Sequence, residues 1–263
     1  MDYSREISPA EPGAGTEQYF RWGISALACV QLALRAAEFG GTPWRILDLP
    51  SGYGRVLRML RGAYPDAEIH ACDANAEAVE FCAKSFGAGP IVSTLAPGKI
   101  ELFRRYDLIW AGSLLTRLDE PGWHGFLQVF ADHLYDEGVV VFATLGRAFA
   151  ADLEGDERND LARDPKTILN AYREHGFAFQ DSDLGTGPRL ALTRPAWVCS
   201  ALEQHPDLEL VAFAEDGWNG RRDMVACRRK GRGRGGGGPA TLPQQAAAVA
   251  SAAESGAAET GAA

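Results

Sequence analysis

Hydrophobic and polar positions follow two rhythms along this chain, and the points where the rhythm changes outline a fold. Over residues 18–39 the apolar residues Phe20, Ile24, Leu27, Ala28, Leu32 and Leu34 recur at roughly helical spacing, until Gly40, Gly41 and Pro43 stop the pattern. This predicts an amphipathic leading helix over 18–40. A short apolar strand follows at 44–49, then a turn of Ser51, Gly52, Tyr53 and Gly54, then a helix over 55–62. Residues 67–72 form a second strand closing on Asp73, followed by a helix over 75–86. Strands at 90–93 and 106–110, a helix at 121–134 and a Val- and Phe-rich strand at 138–144 continue the alternation. Short apolar strands separated by helices of this size predict a parallel sheet covered on both faces.

After Leu145 the alternation lapses. Residues 147–164 are charged, 165–175 read as a helix, and 177–179 with 189–193 read as a small hairpin around Gly185, Thr186, Gly187 and Pro188. A helix at 195–204 and strands at 208–214 and 224–228 complete the pattern. The last two strands are joined by a loop too short for a crossover, so they run antiparallel. The predicted class is α/β, a doubly wound, mostly parallel seven-stranded sheet with an antiparallel last strand. The chain divides into an irregular segment at 1–17, a domain over 18–230 with a lid-like insertion at 147–193, and a disordered Gly/Ala-rich tail at 231–263.

Composition narrows the function classes. The 263 residues are 46% hydrophobic and carry a net charge of -9, which fits a soluble globular protein and argues against a broad nucleic-acid surface. The basic run Arg228, Arg229, Lys230, Arg232 and Arg234 beside the tail reads as a solubilising end. Five cysteines, odd in number and never spaced as Cys-x-x-Cys, suggest neither a disulfide framework nor a zinc cluster. No secretory signal opens the chain and no apolar run approaches the roughly 20 residues that span a bilayer. These features predict a cytoplasmic protein without a membrane partner. The histidines lack metal-ligand spacing, so no metal is expected.

In a doubly wound sheet the ligand sits beyond the carboxyl ends of the strands, which directs attention to the first strand-helix turn. There Asp48 is followed by Pro50, Ser51, Gly52, Tyr53, Gly54 and Arg55. Gly52 and Gly54 let the backbone turn sharply and approach a ligand closely. About twenty residues on, Asp73 is placed to accept hydrogen bonds from ribose hydroxyls, or to cap the following helix. A dinucleotide fingerprint starting at Gly52 needs a third glycine where the chain has Leu57, and no P-loop is present around Lys99. A ribose-bearing ligand without phosphate fits better than NAD or ATP. Ser113 lacks the glycine setting of a hydrolase nucleophile. Arg117 falls on the substrate side of the sheet and reads first as a solvated charge; Tyr19 and Trp22 either close over a ligand or pack. Arg55, a cation in the first turn of a helix, opposes the helix dipole and so calls for an anionic partner, either a ligand carboxylate or an acidic side chain.

The order Asp48 to Arg55, then Asp73, then Ala111 to Thr116 after the fourth strand, then a reversed last strand, resembles a class I S-adenosylmethionine-dependent methyltransferase of Rossmann-like fold. The resemblance covers residues 44–229; it departs from the family at Pro50, where a glycine or alanine is usual. It implies S-adenosyl-L-methionine as cofactor, with Pro50, Gly52 and Gly54 along the methionine part and Asp48 near the ammonium. It also implies Asp73 on the ribose, Ala74 and Asn75 beside the adenine, and Gly112 and Ser113 near the sulfonium. The acceptor it implies is a small molecule or glycan-like compound, with no catalytic residue specified by the sequence. An inactive, scaffold-like relative and an NAD(P)-dependent oxidoreductase are the competing readings; Leu57 and the reversed strand disfavour the second. A chain ending at Arg234 is expected to fold with an unchanged melting temperature by circular dichroism, and loss of the folded signal would move the domain boundary.

Overall fold

The structure is a computed structural model and describes residues 6–11, 16–155, 162–181 and 189–231. The predicted hairpin turn at 185–188 and the predicted tail from 232 onward lie outside the described residues. Helix α1 (Glu17–Ala36) leads into β1 (Arg45–Asp48), α2 (Arg55–Ala63), β2 (Glu68–Asp73), α3 (Ala76–Phe86), β3 (Gly89–Val92) and β4 (Tyr106–Ala111). A 3-10 turn at Leu115–Arg117 precedes α4 (Glu120–His133) and β5 (Leu134–Thr144). The insertion holds α5 (Arg147–Gly155), α6 (Pro165–His175) and the antiparallel pair β6 (Phe177–Gln180) and β7 (Leu190–Thr193). Helix α7 (Pro195–Glu203) and the hairpin β8 (Leu208–Trp218) to β9 (Arg222–Arg229) close the domain.

The main sheet has seven strands in the order β3-β2-β1-β4-β5-β9-β8. Strand β9 runs antiparallel to both neighbours. The last strand is thus reversed as its short connection requires, and it is inserted between β5 and β8 rather than added at an edge. Strand alternation divides the core in two. Leu108 and Trp110 of β4 face α1, α2 and α3, whereas Ile109 and Ala111 face α4 and α7. Leu57, where a dinucleotide fingerprint would place glycine, is wholly buried in the first of these cores.

Two local readings change. The buried face of α1 is Tyr19, Gly23, Ala26, Cys29, Val30 and Ala33, while Phe20, Ile24 and Leu32 from the predicted stripe are exposed. Small side chains win the inward face because α1 lies close on α2: a Cβ at Gly23 would stand 3.0 Å from the Arg55 carbonyl oxygen. Residues 147–155, read as charged and irregular, form α5, whose Phe149, Ala150 and Leu153 join a third apolar core with Ile168, Leu169, Leu190 and Leu192.

The chain runs from β1 outward to β3 and then returns to β4 on the other side of β1, so the strand order reverses between β1 and β4. At that switch point the turn into α2 depends on two left-handed glycines, Gly52 (φ 50°) and Gly54 (φ 80°). They differ in crowding: a Cβ at Gly54 would come within 2.6 Å of the Phe86 ring, whereas one at Gly52 meets only the Glu11 carboxylate at 3.6 Å. Gly54→Ala is therefore expected to destabilise the protein by about 2–4 kcal/mol, from an adverse φ plus overpacking, and Gly52→Ala by about 1–2 kcal/mol from φ alone. Thermal melts giving the two variants equal losses would refute this ranking.

Candidate functional site

The loop after β1 is held from both sides. Leu49 N–H donates to the Trp110 carbonyl (2.9 Å) and Ser51 N–H to the Cys72 carbonyl (2.9 Å), which ties the loop to the ends of β4 and β2. Gly52 N–H donates to Asp73 Oδ2 (2.9 Å), and Asn75 N–H to Asp73 Oδ1 (2.9 Å). Asp73 therefore bridges two loops and does not cap α3. That role belongs to Asn75, whose side-chain oxygen accepts from the N–H groups of Glu77 and Ala78. The Leu49–Pro50 peptide is cis.

These loops wall a cavity of about 410 Å³ at the carboxyl ends of β1 and β4. Seven of the ten residues singled out from the sequence line it: Asp48, Pro50, Gly52, Arg55, Asp73, Gly112 and Ser113. Gly54, Ala74 and Asn75 do not. Gly54 turns the chain into α2, Ala74 is exposed on the rim, and the Asn75 amide oxygen is engaged in the cap. Gly112 is required by close packing, since a Cβ there would meet Trp110 Nε1 at 2.8 Å and the Trp218 ring at 3.0 Å.

The structure also brings in residues the sequence did not single out. Glu11, from the irregular segment before α1, is buried beside the glycine loop. Its carboxylate pairs with Arg55 (2.6 Å) and accepts the Tyr53 N–H (3.2 Å). The partner demanded by Arg55 is thus an acidic side chain, 44 residues earlier in the chain. Trp22 stacks near the same guanidinium, with 4.6 Å from its ring centre to the Arg55 Cζ. Leu95, Trp110, Trp218 and Arg222 complete the wall, and Arg117 proves to be a cavity residue rather than an isolated surface charge. No local signal marks Glu11 or Arg222; both arrive through contacts distant in sequence.

Electrostatically the deepest group is Asp48, only 1% exposed. Burial, and next the charges of Asp73 and Glu11, push its carboxyl well above the usual carboxylate range, against a backbone hydrogen bond from Leu57 that lowers it. Its Oδ2 has no hydrogen-bond partner among the described residues. An orphaned buried carboxyl flanked by two more suits a cationic group, because a nearby cation favours its charged form. The neighbouring Cys82 thiol contacts the Gly52 carbonyl (3.4 Å), and burial pushes it up to about 12, so it is a protonated packing group and not a nucleophile. Among the described residues no group of three metal-ligating side chains is found. No described helix is long and apolar enough to cross a membrane.

Residues 47–140, from β1 into β5, match the family model of a methyltransferase domain. A malonyl-[acyl-carrier protein] O-methyltransferase of Anoxybacillus flavithermus is 30% identical over 105 residues, 40% of this chain and 40% of that protein. The chain spans about two fifths of the length of the curated relatives it matches. Among solved structures, an S-adenosylmethionine-dependent methyltransferase from Clostridium acetobutylicum superposes with a TM-score of 0.55 at 16% identity, covering 81% of this chain and 92% of its own. The plantazolicin methyltransferase BpumL, in complex with a pentazolic desmethylPZN analog and SAH, gives 0.55 at 14% identity over 80% of this chain and 86% of its own. At these identities the likeness is one of fold.

The raised Asp48 carboxyl fixes the sign of a stability effect. Its folded-state value lies above the unfolded one, so its contribution is fully present below about pH 4 and is lost as pH rises toward the folded value. Asp48→Asn keeps the shape and removes the ionisation. The ligand-free variant is expected to melt several degrees above wild type at pH 8, taking about 2–4 °C per kcal/mol, with the gap closing toward pH 4. A variant that melts lower than wild type at every pH would show that Asp48 is structurally stabilising instead.

Proposed function

We propose, from the match of residues 47–140 to the family model of a methyltransferase domain, that the protein is an S-adenosylmethionine-dependent methyltransferase. Its acceptor is a small molecule or glycan-like compound. The observation that carries this reading is the Asp48 carboxyl, buried, lacking a partner at Oδ2 and opening on a cavity at the switch point of the sheet. A ligand bearing an ammonium and a sulfonium compensates such a group. Ribose hydroxyls suit Asp73, whose two oxygens each take one backbone N–H and keep a further lone pair. The cavity volume falls within the range of about 300–1,000 Å³ common for small-molecule sites.

In this reading Asp48 holds the ammonium, and Pro50 and Gly52 run along the methionine part, with Gly54 fixing the turn beneath them. Asp73 holds the ribose, Ala74 and Asn75 flank the adenine at the rim, and Gly112 and Ser113 wall the reacting end. Arg55 keeps the loop in place through Glu11. The bound cofactor supplies a methyl group activated by the positive charge on its sulfur. What the chain supplies is alignment and exclusion of water by Trp22, Trp110, Trp218 and Leu95; positioning of this kind is worth up to about 7–11 kcal/mol. The insertion over 147–193, whose described residues have an apolar core of their own, serves in this reading as a lid. Five unbridged cysteines are consistent with a cytoplasmic setting.

Calorimetric titration of the full chain tests the reading. S-adenosylmethionine and S-adenosylhomocysteine are expected to bind with Kd values of about 1–100 μM and NAD to give no heat. Asp73→Asn is expected to weaken both sulfur ligands about tenfold or more, equivalent to about 1.4 kcal/mol. Absence of heat with either sulfur ligand would sink the proposal. Binding without turnover across a metabolite panel would convert it into a binding or scaffold protein of the same fold.

A further inference from the structure

The cavity wall carries two groupings of charge. Asp73 and Glu11 act on Asp48, whereas Arg117 and Arg55 act on Arg222, and all six residues line the same space. Arg222 opens β9 opposite Trp218 of β8. Its guanidinium lies over two indoles, with 5.1 Å from its Cζ to the Trp218 ring centre and 5.8 Å to that of Trp22. Its Nε is buried and has no hydrogen-bond partner among the described residues. Burial, and after it the positive charges of Arg117, Arg55 and Arg221, lower the affinity of Arg222 for its proton, and among the described residues no carboxylate acts in the opposite sense. Arg55, by contrast, is already matched with Glu11.

A largely buried cation is costly unless an anion meets it. Aromatic faces satisfy the plane of a guanidinium but leave its N–H edge for a coplanar oxyanion, the geometry in which carboxylates and phosphates are bound by two parallel hydrogen bonds. Arg117, exposed at the mouth of the same cavity, adds a second positive charge on the path inward. The chain as a whole has a net charge of -9, so a group of arginines in the cavity wall is a local reversal of sign that attracts anions.

Resting on the methyltransferase reading, and narrowing it, we infer that the methyl acceptor is an oxyanion, a compound bearing a carboxylate or a phosphate. Arg222 binds that group between Trp22 and Trp218, and Arg117 draws it in. The cavity then sorts its two ligands by charge: the cationic cofactor goes to the carboxyl group of Asp48 and the anionic acceptor to Arg222.

The test uses the full chain saturated with S-adenosylhomocysteine, so that the cofactor's own carboxylate is already in place. Malonate and inorganic phosphate are titrated separately, with binding followed by calorimetry and by the fluorescence of the indoles around Arg222. At least one anion is expected to bind saturably and more weakly at high salt, and which one does so distinguishes the carboxylate from the phosphate source. Arg222→Gln is expected to weaken that binding about tenfold or more and Arg117→Gln about threefold, with Arg222→Lys restoring part of it and S-adenosylhomocysteine affinity staying within about twofold throughout. If Arg222→Gln fails to fold, the Arg117→Gln loss at an exposed position decides the matter. If S-adenosylhomocysteine binds but neither anion does, or if both Gln variants bind anion like wild type, the inference is overturned while the methyltransferase reading stands. Displacement of S-adenosylhomocysteine by the anion also overturns it, because the arginines would then be reading the cofactor carboxylate. Failure of S-adenosylhomocysteine to bind at all removes both.

Discussion

The carboxylate of Asp73 is the fixed point on which the site depends. One oxygen takes the Gly52 N–H and the other the Asn75 N–H, so the loop after β1 and the loop after β2 are set relative to each other by a single side chain. Backbone hydrogen bonds from Leu49 and Ser51 to the ends of β4 and β2 complete the clamp. The two positive-φ glycines then become consequences: a loop pinned at these points can reach α2 only by turning through the left-handed region twice. The cavity is the space this clamp leaves at the place where the sheet reverses its order.

Within that space burial and the charges of Asp73 and Glu11 raise the proton affinity of Asp48, and burial and the charges of Arg117, Arg55 and Arg221 lower that of Arg222. A buried group whose charge is opposed in this way is unfavourable in the folded state, and a partner of opposite sign would relieve it. Instability of this kind at a site, held in place by well-packed cores on both faces of the sheet, is what a binding protein exhibits when its own folding and its ligand affinity pull in different directions.

Much of this was legible in the sequence because the signals are local. Strand length, the spacing of Asp48, Gly52, Gly54 and Asp73, and the short link between the last strands each depend on a few neighbouring residues. The outward face of α1 was misread because hydrophobicity was weighed without volume: Phe20, Ile24 and Leu32 are strongly apolar, but the inward face needs a residue as small as Gly23 where α1 meets α2. Asp73 was the candidate to cap α3, and only the backbone path shows that Asn75 does so instead. Glu11 and Arg222 carry no motif at all. One sits in a Pro- and Gly-rich stretch that reads as irregular, and the other in a hairpin read as loop until β8 and β9 proved longer than their apolar cores.

The position of Glu11 separates two meanings of a domain boundary. By hydrophobic periodicity the folded unit starts at α1, and everything before it looks dispensable. By the wall of the cavity the unit includes Glu11, which closes the glycine loop from outside, holds Arg55 and contributes negative potential at Asp48. A shortened protein that begins at the first helix would lose this carboxylate from the cavity wall, and with it the partner of Arg55 and part of the negative charge around Asp48.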